Sequence, residues 1–124
     1  MDIYLVEDSP LVLDRLKALL GTVPGARVVG HAEGADEAIQ EILDRRPDLV
    51  VLDLRLAQGS GFDVLRTLRP LLPRTEFCML SSFASEPYRQ AAKQLGALEF
   101  FDKTREVERL LDLVAARAGY YAHA

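Results

Sequence analysis

The stretch Leu49-Val50-Val51-Leu52-Asp53 joins four consecutive apolar residues to a carboxylate. A short run that is apolar at every position is typical of a central parallel strand, because helices cover both faces of such a strand. Four other short runs have the character of strands, and they are residues 3–6, 27–30, 77–80 and 98–101. We therefore predict five strands, with residues 49–52 at the centre of one sheet.

Five segments of helical period lie between and after these runs. The last segment has the clearest helical pattern, because its apolar residues recur at the spacing i, i+3, i+4 and i+7 and so share one helix face. They are Val107, Leu110, Leu111 and Val114. The predicted helices run from Ser9-Pro10 to Gly21, from Ala35 to Pro47, from about Gly61 to Pro70, from Ser85 to Gly96 and from about Thr104 onward. Strands that alternate with helices indicate βαβ units, which predicts an α/β fold with a doubly wound, five-stranded parallel sheet and five helices.

Length and composition exclude several classes of protein. The chain has 124 residues, of which 49% are hydrophobic and 27% charged, enough for one domain with its own core. Its net charge of −4 argues against direct nucleic-acid binding, which needs a basic surface. The single cysteine, Cys78, excludes an internal disulfide and a multi-cysteine zinc site. We predict one domain over residues 1–119 and a C-terminal tail over residues 120–124.

The hydropathy pattern predicts no membrane contact. No apolar run approaches the roughly 20 residues that span a bilayer. The first residues also lack the charged lead and long apolar stretch of a signal peptide. We therefore expect a cytoplasmic protein.

Polar residues directly follow four of the predicted strands. In a doubly wound sheet, ligands bind beyond the carboxyl ends of the strands, and the residues there are Glu7, Asp8, Asp53, Ser81 and Lys103. Each one has an ordinary structural explanation, such as capping a turn or a helix. Those explanations would all have to hold at four strand ends of one fold, so the pattern favours a shared site.

Chemistry supplies a joint role for these residues. Crowded carboxylates repel one another and are best tolerated around a hard cation, and Mg²⁺ prefers oxygen ligands. A cation beside Asp53 would allow its carboxylate to attack phosphorus and form an aspartyl phosphate. Lys103 and Ser81 would then bind the phosphoryl oxygens as an ammonium and a hydroxyl donor.

This set of residues resembles the receiver domain of two-component response regulators. Residues 50–56 followed by 59–65 are similar to the phosphoacceptor region of that family, residues 79–82 to its hydroxyl-bearing fourth strand, and residues 96–103 to its fifth strand. The resemblance covers about residues 2 to 117. It implies a flavodoxin-like fold and a signalling role in a histidine-to-aspartate phosphorelay, with no enzymatic activity beyond assistance to its own phosphorylation and dephosphorylation.

The resemblance also assigns roles to single residues. It makes Asp53 the phosphorylation site, with Asp8 and Asp53 as ligands of Mg²⁺. Glu7 would act on the metal through water, and the main-chain carbonyl of Arg55 would complete the protein ligands. In the family, the residues two beyond the phosphoacceptor and two beyond the hydroxyl flank the path of the attacking water, and here they are Arg55 and Phe83.

A switch and its partners follow from the same resemblance. Ser81 would move toward the new phosphoryl group, and Phe100 would turn from exposed to buried in the space behind it. The alternative is that Phe100 is a permanent part of the core, as aromatic residues of strands usually are. The face formed by the fourth helix, the fifth strand and the last helix would then change shape. The implied partners are a sensor histidine kinase or a phosphotransfer protein, and a phosphorylation-dependent protein or second copy of the chain at that face.

Three positions depart from the common pattern of the family. Ala57 and Thr104 stand where proline is frequent, and Ser82 stands where alanine is usual. The change at Thr104 puts in doubt a cis peptide bond there. None of the three removes a reacting group.

Several alternatives remain open from the sequence. The chain could be a degenerate receiver that only docks a partner. A hydrolase that forms an aspartyl phosphate would want an acidic residue where Arg55 stands, and a flavin-binding domain would want a phosphate loop where Glu7 and Asp8 would repel phosphate. The receiver would be either a stand-alone regulator or an excised domain of the type that carries a helix-turn-helix output.

Overall fold

The computed structural model of the protein describes the backbone of residues 1–123 and the side chains of residues 1–119. It contains five strands and five helices that alternate along the chain. They are β1 (Asp2–Val6), α1 (Pro10–Leu20), β2 (Arg27–Ala32), α2 (Ala35–Arg45), β3 (Leu49–Leu52), α3 (Gly61–Leu68), β4 (Glu76–Ser81), α4 (Glu86–Gln94), β5 (Glu99–Asp102) and α5 (Val107–His123). The predicted α/β fold is confirmed.

The five strands form one parallel sheet in the order β2-β1-β3-β4-β5. Strand β3 is central, as its uniformly apolar sequence predicted, and all four of its residues are buried. The strand order reverses between β1 and β3, because the chain first adds β2 on one side of β1 and then returns to the other side. Ligands of doubly wound sheets bind at such a reversal.

Helices cover both faces of the sheet and create two apolar layers. On one face, α2, α3 and α4 pack against Tyr4, Val50, Leu52, Phe77 and Met79. On the other face, α1 and α5 pack against Ile3, Leu5, Val51, Cys78 and Leu80. Alternate residues of each inner strand thus point to opposite layers, which explains why the strands are apolar throughout.

Both ends of helix α5 differ from the predictions. Helix α5 begins at Val107 rather than near Thr104, because the carboxylate of Asp102 accepts hydrogen bonds from the amide and hydroxyl of Thr104, at 2.8 and 2.9 Å, and holds a turn there. The backbone is also helical through His123, so α5 extends into the predicted C-terminal tail over residues 120–124. The alanine-rich sequence before Gly119 favours continuation of the helix. Ala124 lies outside the described residues.

No helix over residues 1–123 combines the length and the apolar character needed to cross a bilayer.

Candidate functional site

Three carboxylates meet where two neighbouring strands end. The sheet ladder continues one residue past each strand, because the amide of Glu7 donates to the carbonyl of Ala32 at 3.0 Å and the amide of Asp53 donates to the carbonyl of Val6 at 2.9 Å. Glu7, Asp8 and Asp53 each bring one carboxylate oxygen within 4.8 Å of the other two. Glu7 and Asp53 are buried, whereas Asp8 is more exposed.

Lys103 bridges two of these carboxylates. Its Nζ lies 2.6 Å from Oε1 of Glu7 and 2.6 Å from Oδ2 of Asp53. The turn after β5 is held by the main chain, since the amide of Lys103 donates to the carbonyl of Ser81 at 3.0 Å. Burial alone would lower the pKa of Lys103, but its hydrogen bonds to Asp53 and Glu7 raise that pKa above its ordinary value. Lys103 is therefore a cation at neutral pH and offsets part of the negative charge of the cluster.

The acidity of Glu7 is strongly altered by this environment. Burial raises the pKa of Glu7 to about 7, the hydrogen bond from Lys103 opposes that rise, and the charge of Asp53 adds to it. The second carboxylate oxygen, Oε2, accepts a hydrogen bond from the amide of Asp8 at 2.9 Å. Glu7 can therefore exchange a proton near neutral pH while its position stays restrained.

The loop after Asp53 is closed at its base. The amide of Gly61 donates to the carbonyl of Leu54 at 2.9 Å, and Arg55 and Ser60 form an antiparallel bridge. Glycine is required at position 61, because a Cβ there would lie 2.2 Å from the carbonyl oxygen of Asp53. This packing restrains the main chain of Arg55, whose carbonyl is the remaining predicted metal ligand.

Ser81 is fully buried at the end of β4. Its Oγ accepts a hydrogen bond from the amide of Phe83 at 3.1 Å, so the hydroxyl proton remains available to a further acceptor. The ring of Phe83 also contacts Arg55, whose guanidinium carbon lies 4.2 Å from the centre of that ring. The two residues predicted to flank the path of the attacking water are therefore in contact with each other.

Phe100 does not have the exposed orientation that we expected for the unmodified chain. Only 6% of its surface is exposed, and it packs in the layer that contains Phe77 and Ala92. The guanidinium carbon of Arg89 lies 5.4 Å from the centre of the Phe100 ring. Apolar neighbours and this cation together favour the buried orientation, which is the one that the resemblance assigns to the phosphorylated state.

Two of the three departures from the family pattern have a structural reason. The amide of Ala57 donates to the carbonyl of Glu33 at 3.1 Å, and the amide of Thr104 donates to Asp102 at 2.8 Å. Proline has no amide proton and could make neither bond. No peptide bond in the described part of the chain is cis. Nothing in the structure explains Ser82, which is exposed.

The donor set of the cluster fits a hard divalent cation. Glu7, Asp8 and Asp53 offer carboxylate oxygens at close quarters, and oxygen is the ligand that Mg²⁺ prefers. Lys103 occupies part of the same space and balances the charge of the two buried carboxylates. The partial exposure of Asp8 leaves that side of the cluster open to water, which Mg²⁺ usually retains.

A second polar network, which no sequence motif predicts, joins α4 to β5 and to the turn before α5. Arg89 of α4 donates to the carbonyls of Ala84 and Phe100, at 3.0 and 2.9 Å, and to Oε1 of Glu106 at 2.8 Å. The same oxygen of Glu106 accepts from the amide of Asp102 at 2.9 Å. Arg89 and Glu106 are 17 residues apart, and no motif spans them, so only the packing of α4 against β5 could reveal the contact.

Known proteins share this fold and its sequence pattern. The family model described as the response regulator receiver domain matches residues 3–115. The chain is 32% identical over 115 residues to protein-glutamate methylesterase/protein-glutamine glutaminase 1 of Syntrophus aciditrophicus, which covers 91% of this chain and 33% of that protein. It is 37% identical over 84 residues to the DNA-binding transcriptional activator DevR/DosR of Mycobacterium tuberculosis, which covers 68% of this chain and 39% of that protein.

Solved structures agree with the family match. The signal receiver domain of NarL from Mycobacterium tuberculosis is 27% identical, with a TM-score of 0.80, and the match covers 91% of this chain and 94% of that one. The chain spans only 33% to 46% of the length of the first curated relatives. Because the family model covers almost all of the alternating strands and helices described above, the chain belongs to the response regulator receiver domain family.

Proposed function

We propose that the chain accepts a phosphoryl group on Asp53 from a phosphohistidine of a partner protein, as one step of a histidine-to-aspartate phosphorelay. The observation that carries this proposal is the position of the Lys103 ammonium, 2.6 Å from both Asp53 and Glu7, within a cluster of three carboxylates. The cluster joins a nucleophile, a cation for phosphoryl oxygens and oxygen ligands for a metal ion. A degenerate receiver would have no need of all three.

In the proposed step, a carboxylate oxygen of Asp53 attacks the phosphorus of the donor. A P–O bond to Asp53 forms while the P–N bond to the donor imidazole breaks, and the electron pair of that bond stays on the imidazole nitrogen. Lys103 stabilises the charge on one phosphoryl oxygen. Ser81, whose Oγ is already held by the amide of Phe83, donates its hydroxyl proton to another.

The proposed cofactor is Mg²⁺. Its ligands would be Asp8, Asp53 and the carbonyl of Arg55, with Glu7 acting through a water molecule. When bound, the ion would supply positive charge that reduces the repulsion between the Asp53 carboxylate and the incoming phosphoryl group.

The proposed output surface is the face formed by α4, β5 and α5. Phosphorylation adds about −1.5 to −2 charges and three acceptor oxygens at Asp53. Two turns lie beside Asp53: the one after β4, which begins at Ser81, and the one after β5, which contains Lys103. Arg89 links α4 to Phe100 of β5 and to Glu106 before α5, so a shift of either turn is transmitted across this face. In this proposal, Phe100 exchanges between its buried orientation and an exposed one.

The proposed partners are proteins. A sensor histidine kinase or a phosphotransfer protein would donate the phosphoryl group, and a protein or second copy would bind the α4–β5–α5 face. One curated relative is named as a methylesterase and another as a DNA-binding activator, so different activities accompany similar sequences. We therefore propose that this stretch regulates an output and does not itself carry out hydrolysis or bind nucleic acid.

Incubation with acetyl phosphate and Mg²⁺, followed by intact mass spectrometry, tests the proposal. The unaltered protein should gain one labile phosphoryl group, and Asp53→Asn should gain none. Asp44→Asn, at an exposed position of α2, is the matched control and should be phosphorylated normally. A full mass shift in Asp53→Asn, or no shift in the unaltered protein at saturating donor and metal, would contradict the proposal.

A further inference from the structure

Helix α2 begins without a capping side chain of its own, because its N-cap residue is Gly34. The first N–H groups of a helix have no partner within the helix and need acceptors from elsewhere. Serine, threonine, asparagine or aspartate at the N-cap usually provides one. In this chain the acceptor comes from a distant part of the sequence.

Gln58 provides that acceptor from the loop between β3 and α3. Its main-chain carbonyl accepts a hydrogen bond from the amide of Ala35 at 2.8 Å, and its side-chain Oε1 accepts one from the amide of Asp36 at 2.9 Å. One residue earlier, the amide of Ala57 donates to the carbonyl of Glu33 at 3.1 Å. Three hydrogen bonds therefore join the tip of this loop to the start of α2.

The same loop contains the remaining predicted metal ligand. Its base is closed by the bond between the Gly61 amide and the Leu54 carbonyl and by the bridge between Arg55 and Ser60. The main chain of Arg55 thus belongs to the anchored base of a loop whose tip is anchored as well. A loop with two anchors has fewer conformations to lose when one of its carbonyls binds a ligand.

We propose that Gln58 is a positioning residue for metal binding: by capping α2 it restrains the β3–α3 loop so that the Arg55 carbonyl is ready to bind a divalent cation. The inference rests on the proposed function, because that carbonyl is a ligand only if the carboxylate cluster binds the cation. Gln58 acts through the loop and not on the cation itself.

Gln58→Ala removes the side-chain acceptor and leaves the main-chain bonds in place. We expect the variant to fold and to bind Mg²⁺ about fivefold more weakly, the factor that corresponds to one typical helix cap. Titration with Mg²⁺ followed by ¹H–¹⁵N NMR measures the affinity. Hydrogen exchange at the amides of Asp36 and Ala57 gives a second measurement, because Mg²⁺ should slow it in the unaltered protein and not in the variant.

Two further variants separate loop positioning from helix stability. Thr75→Val removes a buried side-chain bond at the opposite end of the sheet, where Thr75 Oγ1 donates to the carbonyl of Pro47 at 2.8 Å, and should lower stability without changing Mg²⁺ affinity. Adding Gly34→Ser to Gln58→Ala gives α2 a cap of its own. The extended backbone at residue 34 allows a serine, but its Cβ would lie 3.3 Å from the Cβ of residue 58, so Gly34→Ser alone serves as the control for a shift of the loop. We expect this second change to restore thermal stability but not Mg²⁺ affinity.

The outcomes distinguish this inference from the proposed function. Recovery of Mg²⁺ affinity together with stability in the double variant would overturn the positioning role, as would unchanged affinity in Gln58→Ala. Either result would leave the metal site itself intact. Absence of Mg²⁺ binding by the unaltered protein would overturn both the proposed function and the inference.

Discussion

The guanidinium carbon of Arg55 lies 4.2 Å from the centre of the Phe83 ring, so a cation stacks on an aromatic face. Arg55 follows Asp53 by two residues, and the amide of Phe83 is bonded to Oγ of Ser81. The stacked pair therefore joins the two loops that flank the candidate phosphorylation site. Both residues are exposed, Phe83 to 41%. They are the two residues that the resemblance to receiver domains predicts beside the path of the attacking water.

The first prediction concerns the lifetime of the phosphoryl group. Arg55→Asn and Phe83→Ala should each speed hydrolysis about three- to fivefold, the factor that corresponds to an exposed cation–π contact. The double variant should show little further increase, because either single change already breaks the pair. Loss of the phosphoryl group is followed by intact mass after removal of the donor. Arg66→Ala, an exposed arginine of α3, serves as the control; slower or unchanged hydrolysis in the variants would count against this role.

The second prediction concerns metal affinity. Asp8→Ala should weaken Mg²⁺ binding by more than about tenfold, because it removes a ligand oxygen and a charge. In the absence of Mg²⁺ the same variant should be as stable as the unaltered protein or more stable, since one of three crowded carboxylates is gone. Calorimetric titration and thermal unfolding measure the two effects. Asp14→Ala, on an exposed face of α1, should change neither; equal Mg²⁺ affinity in Asp8→Ala would refute the ligand assignment.

The third prediction concerns Lys103 as the partner of buried carboxylates. Lys103→Met should lower the free energy of unfolding by about 3 kcal/mol near pH 8, because Glu7 and Asp53 would then be buried without a counter-charge. The loss should be smaller near pH 5, where carboxyl groups gain protons more easily. Added Mg²⁺ should restore part of the stability. Lys93→Met is the exposed control, and a pH-independent loss in Lys103→Met would contradict the electrostatic explanation.

The fourth prediction concerns stability in acid. The hydrogen bond from Arg89 lowers the pKa of Glu106 to about 2, so the folded protein binds this proton less tightly than the unfolded chain does. Glu106 therefore contributes stability that is present above its unfolded pKa of about 4.5 and is lost as the pH falls toward about 2. Glu106→Gln should lower the free energy of unfolding by about 1–2 kcal/mol at neutral pH, after allowance for solvent screening. It should also make that free energy depend less on pH in the acid range. Urea unfolding over this pH range measures the effect, with Glu108→Gln as control. If Glu106→Gln leaves the loss of stability in acid unchanged, the ion pairs of Glu106 are not its source.

The fifth prediction concerns the output face. Arg89→Ala removes donors to the carbonyls of Ala84 and Phe100 and to Glu106, so α4 should move more freely against β5. Amide hydrogen exchange over residues 84–102 should become faster, while phosphorylation at Asp53 continues. Gln90→Ala, on the exposed side of the same helix, should leave exchange unchanged. Identical exchange in Arg89→Ala and the unaltered protein would show that this network does not restrain the face.

The sequence by itself determined the fold and predicted which side chains lie together at the carboxyl edge of the sheet. Uniformly apolar runs such as residues 49–52 predict buried parallel strands, because a strand with helices on both faces has no polar side. Carboxylates directly after two of those runs predict a cluster, because parallel strands end at the same edge of a sheet. These are local patterns, and they require no knowledge of which side chain touches which.

Only the tertiary structure decided the contacts between residues that are far apart in the chain. The bond of Gln58 to the start of α2 spans 22 residues, and the bridge of Lys103 to Glu7 spans 96. The burial of Phe100 depends likewise on Arg89 and on packing against α4, so its orientation differed from the one expected. Glutamine and arginine have long side chains with many possible partners, and the choice among those partners is made by the distances between packed elements, which local sequence patterns do not contain.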